Sequence, residues 1–284
     1  MSLVPISVLL EKAETGNYAV GAFNCNNMEI VQSIVAAAEA ENSPVILQAS
    51  QGAIKYAGID YITAIAKVAA EKSFVPIALH LDHGTSFEQV TQCIRAGFSS
   101  VMIDGSKLPL NENMDLTKRV IQMARAVGVS VEAELGKIGG TEDDITVSEK
   151  EALFTDPDEA ALFVRETGVD ALAVAIGTAH GRYKGVPKLA LDLLKTIKEK
   201  VKIPIVLHGS SGVPDEAIKA AIALGVRKVN IDTNIREAFC QAVRDKLASD
   251  PTEIDPRQML TPAREAATEI IREKIRVFGS SNKI

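Results

Sequence analysis

Three of the chain's four histidines close short apolar, β-branched runs: His83 in His80-Leu81-Asp82-His83-Gly84, His180 in Gly177-Thr178-Ala179-His180-Gly181, and His208 in Val206-Leu207-His208-Gly209. Any one of them could be a histidine that caps its strand end with a hydrogen bond. Three neutral imidazoles delivered from separate strands to one rim can instead hold a divalent cation such as zinc and leave a fourth position for water or substrate. Carboxylates share the same ends: Asp82 beside His83, Asp104 in Met102-Ile103-Asp104-Gly105, and Glu132 and Glu134 in Ser130-Val131-Glu132-Ala133-Glu134-Leu135-Gly136. A buried carboxylate is costly unless it is paired, hydrogen-bonded or metal-bound. Asp82 is a candidate acid–base group, while Asp104 and Glu134 are candidates for the metal or for contacts behind its ligands. Asp82 could equally serve to orient His83, and Glu132 also fits a paired structural carboxylate.

Anion-binding signals follow on the later runs. Gly181 comes after His180, Gly209-Ser210-Ser211-Gly212 after His208, and Asn230-Ile231-Asp232-Thr233 just before a helical segment that begins near Ile235. Backbone N–H groups, hydroxyls and a helix N-terminus suit a phosphate. A Gly-Ser-Ser-Gly loop alone is more often just a turn. The polar segment Gly136-Lys137-Ile138-Gly139-Gly140-Thr141-Glu142-Asp143-Asp144 carries paired glycines. It reads either as a lid that brings Glu142 to the metal or as a solvated acidic loop.

The elements that must position these groups repeat along the whole chain. Eight apolar runs (Tyr18 to Asn24, Pro44 to Ser50, Val75 to His83, Ser99 to Gly105, Ser130 to Gly136, Ala171 to Gly181, Pro204 to Ser211, Lys228 to Thr233) alternate with amphipathic stretches such as Asn27 to Glu41, Ser86 to Ala96, Asn111 to Val127 and Pro157 to Thr167. Nearly continuous hydrophobic strands suit a parallel sheet covered by helices. Eight strand–helix units in about 250 residues match a (β/α)8 TIM barrel, whose functional groups gather at the C-terminal strand ends. We expect an α/β chain with one domain over residues 1–284, including a C-terminal helical extension from about 250 with an extra helix over Pro262 to Phe278.

Composition sets the limits. With 46% hydrophobic and 24% charged residues the chain is globular, and a net charge of −6 leaves no general electrostatic reason to bind nucleic acid or an anionic membrane. The N-terminus lacks the pattern of a secretory leader and no apolar run reaches the roughly 20 residues of a membrane helix, so a cytoplasmic protein is expected. Cys25, Cys93 and Cys240 are widely spaced and read as buried free thiols.

These motifs resemble the class II, metal-dependent fructose-1,6-bisphosphate aldolases of the shorter bacterial type and the related tagatose-1,6-bisphosphate aldolases. The likeness runs from Tyr18-Ala19-Val20-Gly21-Ala22-Phe23-Asn24 to Phe278-Gly279-Ser280-Ser281-Asn282. It is most specific at His80-Leu81-Asp82-His83-Gly84, at Val131 to Gly136 with Gly139-Gly140, and at Leu207-His208-Gly209. The resemblance implies reversible cleavage of fructose 1,6-bisphosphate to dihydroxyacetone phosphate and glyceraldehyde 3-phosphate, a step of glycolysis and gluconeogenesis. His83, His180 and His208 would hold catalytic Zn2+, with Asp104 and Glu134 offering a second divalent or monovalent cation position. Asp82 would be the acid–base at the C4 hydroxyl, and Glu142 would exchange the proton at C3. Gly181, Lys184, Gly209, Ser210, Ser211, Asn230, Asp232 and Thr233 would hold the dihydroxyacetone phosphate half, with Asn24 and Ser50 near substrate. Arg257 would reach the other phosphate from a neighbouring subunit, which implies a homodimer or homotetramer.

Three other readings compete. A Schiff-base aldolase could use Lys107, Lys137 or Lys184, but would leave the histidine rim without purpose. A non-catalytic auxiliary barrel would not be expected to keep His83, His180, His208 and Asp82 together. Tagatose 1,6-bisphosphate differs only at C4. Ala173 to His180 and Val213-Pro214-Asp215-Glu216 look like the tagatose branch, whereas Gln48-Ala49-Ser50-Gln51-Gly52, Gly209 to Gly212 and Asn230 to Thr233 look like the fructose branch. Fructose bisphosphate is favoured.

Overall fold

The computed structural model describes residues 2–142, 145–148, 152–183 and 185–284, with the backbone alone for 141, 142 and 145–147. Along the chain the strands are β1 (Val20–Asn24), β2 (Val45–Ser50), β3 (Ile77–Gly84), β4 (Ser100–Ile103), β5 (Ser130–Leu135), β6 (Gly139–Glu142), β7 (Ile145–Val147), β8 (Ala171–Val174), β9 (Ala179–His180), β10 (Ile205–Leu207) and β11 (Val226–Ile231). The helices are α1 (Ile6–Gly16), α2 (Met28–Ala40), α3 (Gln51–Ala57), α4 (Ile59–Lys72), α5 (Phe87–Ala96), α6 (Leu110–Arg125), α7 (Pro157–Thr167), α8 (Leu191–Val201), α9 (Asp215–Ala223), α10 (Thr233–Ser249) and α11 (Pro256–Phe278). Eight parallel strands close a barrel in the order β1-β11-β10-β8-β5-β4-β3-β2, while β7-β6-β9 form a separate small sheet. This is the TIM barrel expected from the alternating pattern.

Strand alternation sorts the barrel residues into two sets. Outward Phe23, Leu47, Leu79, Leu81, Val101, Val131, Leu172, Leu207 and Val229 pack under the helices in one apolar shell. Inward Val20, Ala22, Ile46, Ala78, Ala171, Ala173 and Val206 meet Ile6, Leu9, Leu10 and Ala13 of α1. That helix plugs the N-terminal end of the barrel, so the lower interior is apolar. Above it the inward positions turn polar: Gln48, His80, Asp82, Glu132, His208 and Lys228 are all fully buried.

The structure corrects three expectations, two of them element boundaries. The run Ala171 to Gly181 is not one strand, because β8 ends at Val174 and His180 lies on the separate β9, which pairs with β6 outside the barrel. The last helix begins at Pro256, not Pro262: Asp255 caps it through Arg257 N–H and Pro256 occupies the first turn, a stronger start signal than Pro262, which lies inside the helix. Cys25 and Cys93 are buried, but Cys240 is exposed on α10.

Candidate metal centre and phosphate cradle

His83 and Asp82 are sequence neighbours on β3, and in a regular strand they would face opposite sides. His83 instead has φ +49°, in the left-handed region that costs a non-glycine residue about 1–2 kcal/mol. The β3–β4 register slips between Leu81 and Gly84. This bulge turns both side chains into the barrel mouth. Gly84 follows because a Cβ there would stand 2.6 Å from the Met102 carbonyl oxygen.

The three imidazoles predicted to converge do so. Ring centroids lie 4.7 Å apart for His83 and His208, 5.0 Å for His83 and His180, and 5.9 Å for His180 and His208. One ring nitrogen from each lies within 4.8 Å of the others. His83 Nδ1 sits 3.1 Å from Asp104 Oδ2, and His208 Nε2 sits 2.8 Å from Glu132 Oε1. An ionised carboxylate only accepts hydrogen bonds, so these two nitrogens carry the ring protons and leave lone pairs on His83 Nε2 and His208 Nδ1. Those atoms face each other at 2.9 Å. Two lone pairs at that distance repel, and a cation satisfies both; the donor set fits a divalent metal. Burial pushes the His208 imidazolium down against the opposing pull of Glu132, which favours the neutral ligand form.

Asp104 and Glu132 are ionised by their partners. Burial works against each, but hydrogen bonds from His83 and Ser106 hold Asp104 below the usual carboxylate range, and the Lys228 ammonium and the His208 hydrogen bond do the same for Glu132. Lys228 Nζ lies 2.9 Å from Glu132 Oε2, with no exposure of either side chain. Glu132 is therefore paired and also holds a histidine of the trio. His80 sits behind it, 3.5 Å from Glu132 Oε2 and 2.8 Å from Ser100 Oγ. His83, Asp104 and Glu134 form a second group able to hold a cation.

Asp82 is engaged elsewhere. Asn24 and Gln48 side-chain amides donate to its Oδ2 at 3.0 and 3.2 Å, and Asn230 donates to Oδ1 at 3.4 Å. Its Oδ1 is 4.0 Å from His83 Nε2. The carboxylate is thus fixed by amides beside the trio rather than used to orient His83, leaving it able to accept a proton.

Next to the trio a cavity of about 120 Å³ is lined by Asn24, His180, Gly181, Gly209, Ser210, Ser211, Asn230, Asp232, Thr233 and Arg236. Its walls combine the two loops and the helix start that had suggested a phosphate site. Ser50 does not line it; its hydroxyl accepts from Ala53 N–H at 3.2 Å and caps α3. Arg257 does not line it either: its side chain is 88% exposed and pairs with Asp255 at 2.7 Å. The backbone of Glu142 lies on β6, but its side chain and the whole of Lys184 lie outside the described residues. Gln48, Lys228 and Arg236 escaped the sequence reading. The first two share the inward parity of Ser50 and Asn230 on their strands, and that alternation was the available signal.

A sequence profile described as fructose-bisphosphate aldolase class-II matches residues 4–283. The chain belongs to the class II fructose-bisphosphate aldolase family. It is 48% identical to a fructose-bisphosphate aldolase of Geobacillus stearothermophilus over 100% of this chain and 99% of that one, and 47% identical to one of Thermus caldophilus over 96% of each. Among solved structures, it resembles the YdjI aldolase of Escherichia coli with a TM-score of 0.88 and 34% identity over 99% of both chains. As a class II aldolase it is a metal-dependent carbon–carbon lyase acting on a sugar bisphosphate. Among the described residues, no helix is long and apolar enough to cross a membrane.

Proposed function

We propose that this aldolase cleaves fructose 1,6-bisphosphate reversibly to dihydroxyacetone phosphate and glyceraldehyde 3-phosphate, with zinc held by His83, His180 and His208. The facing His83 Nε2 and His208 Nδ1, 2.9 Å apart with their far nitrogens bound to carboxylates, carry this reading. A divalent cation bound there supplies Lewis acidity for the negative charge left at C3 when the C3–C4 bond breaks. Asp82 accepts the C4 hydroxyl proton, the C3–C4 electron pair passes to C3, and the aldehyde departs. Asn24, Gln48 and Asn230 hold the Asp82 carboxylate in place for that transfer. Glu142, on the β6–β7 hairpin, then delivers a proton to C3.

Gly181, Lys184, Gly209, Ser210, Ser211, Asn230, Asp232 and Thr233 hold the dihydroxyacetone phosphate half, and Ser50 stands near it at the end of β2. Asp104 and Glu134 offer the second cation position. Arg257, exposed and outside its own cradle, serves a neighbouring subunit's site in a homodimer or homotetramer working in the cytoplasm.

The test compares kcat/KM for fructose and tagatose bisphosphates on the purified chain, before and after chelation and zinc addition. Fructose preference and loss of activity restored by zinc are expected. A tagatose preference would reassign the substrate, and covalent trapping by borohydride would overturn the metal mechanism.

A further inference from the structure

His83 and His208 are oriented through their far ring nitrogens by Asp104 and Glu132 of the barrel wall. His180 reaches the trio by another route. β8 leaves the barrel at Val174, and the two-residue β9 that carries His180 pairs with β6 in the small sheet and, among the described residues, with no barrel strand. The closed ring therefore gives β9 no ladder of its own. Its place relative to the segment after β10, where His208 stands, has to be fixed by other contacts.

Tyr183 makes such a contact. Its hydroxyl accepts from Ala179 N–H at 2.7 Å and donates to the Gly209 carbonyl oxygen at 2.8 Å. Ala179 and Gly209 are the chain neighbours of His180 and His208, so one phenol oxygen joins the backbones of two histidine-bearing segments. Those backbones approach closely, since a Cβ on Gly209 would stand 2.5 Å from the Ala179 carbonyl oxygen. The phenol ring lies against Gly212, where a Cβ would meet Tyr183 Cδ2 at 3.2 Å. Burial raises the Tyr183 phenol above its ordinary 10, against the pull of the Ala179 N–H, so the hydroxyl keeps the proton that it donates.

We propose that Tyr183 is a positioning residue for the metal: by bridging Ala179 and Gly209, its hydroxyl sets where His180 stands relative to His208. The assignment rests on the reading of His83, His180 and His208 as ligands of a divalent cation. A metal site needs its donors held to within about 0.5 Å by the groups behind them. Phenylalanine at position 183 would keep the ring and its packing but lose the bridge. β9 could then shift against the segment after β10, and the cation would have to draw the imidazole back into place.

The experiment measures zinc dissociation constants for the full chain as wild type, Tyr183→Phe, His180→Ala and the double variant, by competition with chelators of graded affinity. It also records the visible absorption of each protein loaded with cobalt(II). Tyr183→Phe is expected to bind zinc roughly tenfold more weakly, the lower end of the losses seen when a group that orients a metal ligand is removed. In the His180→Ala background the same change should alter zinc binding by no more than about twofold, because the imidazole through which Tyr183 acts is gone. The cobalt spectrum of Tyr183→Phe should shift from that of wild type toward that of His180→Ala. A zinc constant within about twofold of wild type in Tyr183→Phe, or an equal loss with and without His180, would overturn the assignment alone. Zinc binding by His180→Ala as tight as by wild type would overturn the three-histidine reading and this assignment with it.

Discussion

At the scale of single residues, the site works because neighbouring side chains are given different partners. Asp82 is bonded to three amides and His83 to Asp104, although the two are adjacent in the chain. Replacing Asp82 by Ala should lower kcat by roughly 10²–10⁴-fold, the usual contribution of a positioned general base, while the zinc content of the purified protein stays at the wild-type level. The Lys228–Glu132 pair is a different case, since both side chains are fully buried. Glu132→Ala removes one partner and leaves an uncompensated lysine in the barrel. Denaturant unfolding should then show a loss of about 3–5 kcal/mol, and chelator competition a zinc affinity some 10–100-fold weaker, because His208 loses the acceptor that sets its tautomer. The histidine trio could be read from motif and position. Lys228 could not, because a lysine in an apolar run ordinarily reads as a surface residue.

Elements decide how those side chains converge. The β3 bulge at His83 brings consecutive residues to one face, and its necessity shows at Gly84, where a Cβ would crowd the Met102 carbonyl. Gly84→Ala should destabilise the fold by about 1–3 kcal/mol, measured by denaturant melts. The pairing of β6 with β9 has a similar origin. Gly140 lies opposite His180, and a Cβ at Gly140 would stand 2.2 Å from the His180 carbonyl oxygen. The root of the Glu142 hairpin is thus tied to the strand that carries one histidine of the trio. Periodicity alone could not reveal this, because the apolar run from Ala171 to Gly181 gives no sign of where a barrel strand ends and a two-residue strand begins. The same limit hid α1, whose Ile6, Leu9, Leu10 and Ala13 look like any amphipathic segment until the barrel base they fill is known. Leu10→Ala there should cost about 2–5 kcal/mol in unfolding free energy.

At the scale of the molecule, the last helix is tied back to the first strand–helix unit of the barrel. Glu41, which follows α2, receives Arg272 and Arg276 of α11 and Ser281 beyond it. The Arg276 hydrogen bond is the largest influence and, outweighing burial, holds the Glu41 carboxyl below its ordinary 4.5. A lowered folded value means that the contribution is whole above the unfolded value and is lost as pH falls through the folded one. In Glu41→Gln, the stability difference between neutral pH and about pH 3.5 should therefore be smaller than in wild type, as compared by denaturant melts at both pH values.

How far the chain could be read without its fold follows from the range of the forces involved. Hydrophobic periodicity is local, so the eight-strand barrel, its parallel sense and the strand ends bearing His83 and His208 were legible from residue order. The C-terminal rim as the place of the chemistry followed from that architecture. Partnership is not local. That His208 leans on Glu132, which leans on Lys228, joins residues from three strands that meet only when the ring closes. The same closure gives Asp82 its amide partners from β1, β2 and β11 and brings Asp232 and Arg236 to the wall beside His180. Composition and spacing named the groups, whereas barrel closure set their protonation, their partners and the cavity they share, because those depend on distances across the ring rather than along the chain.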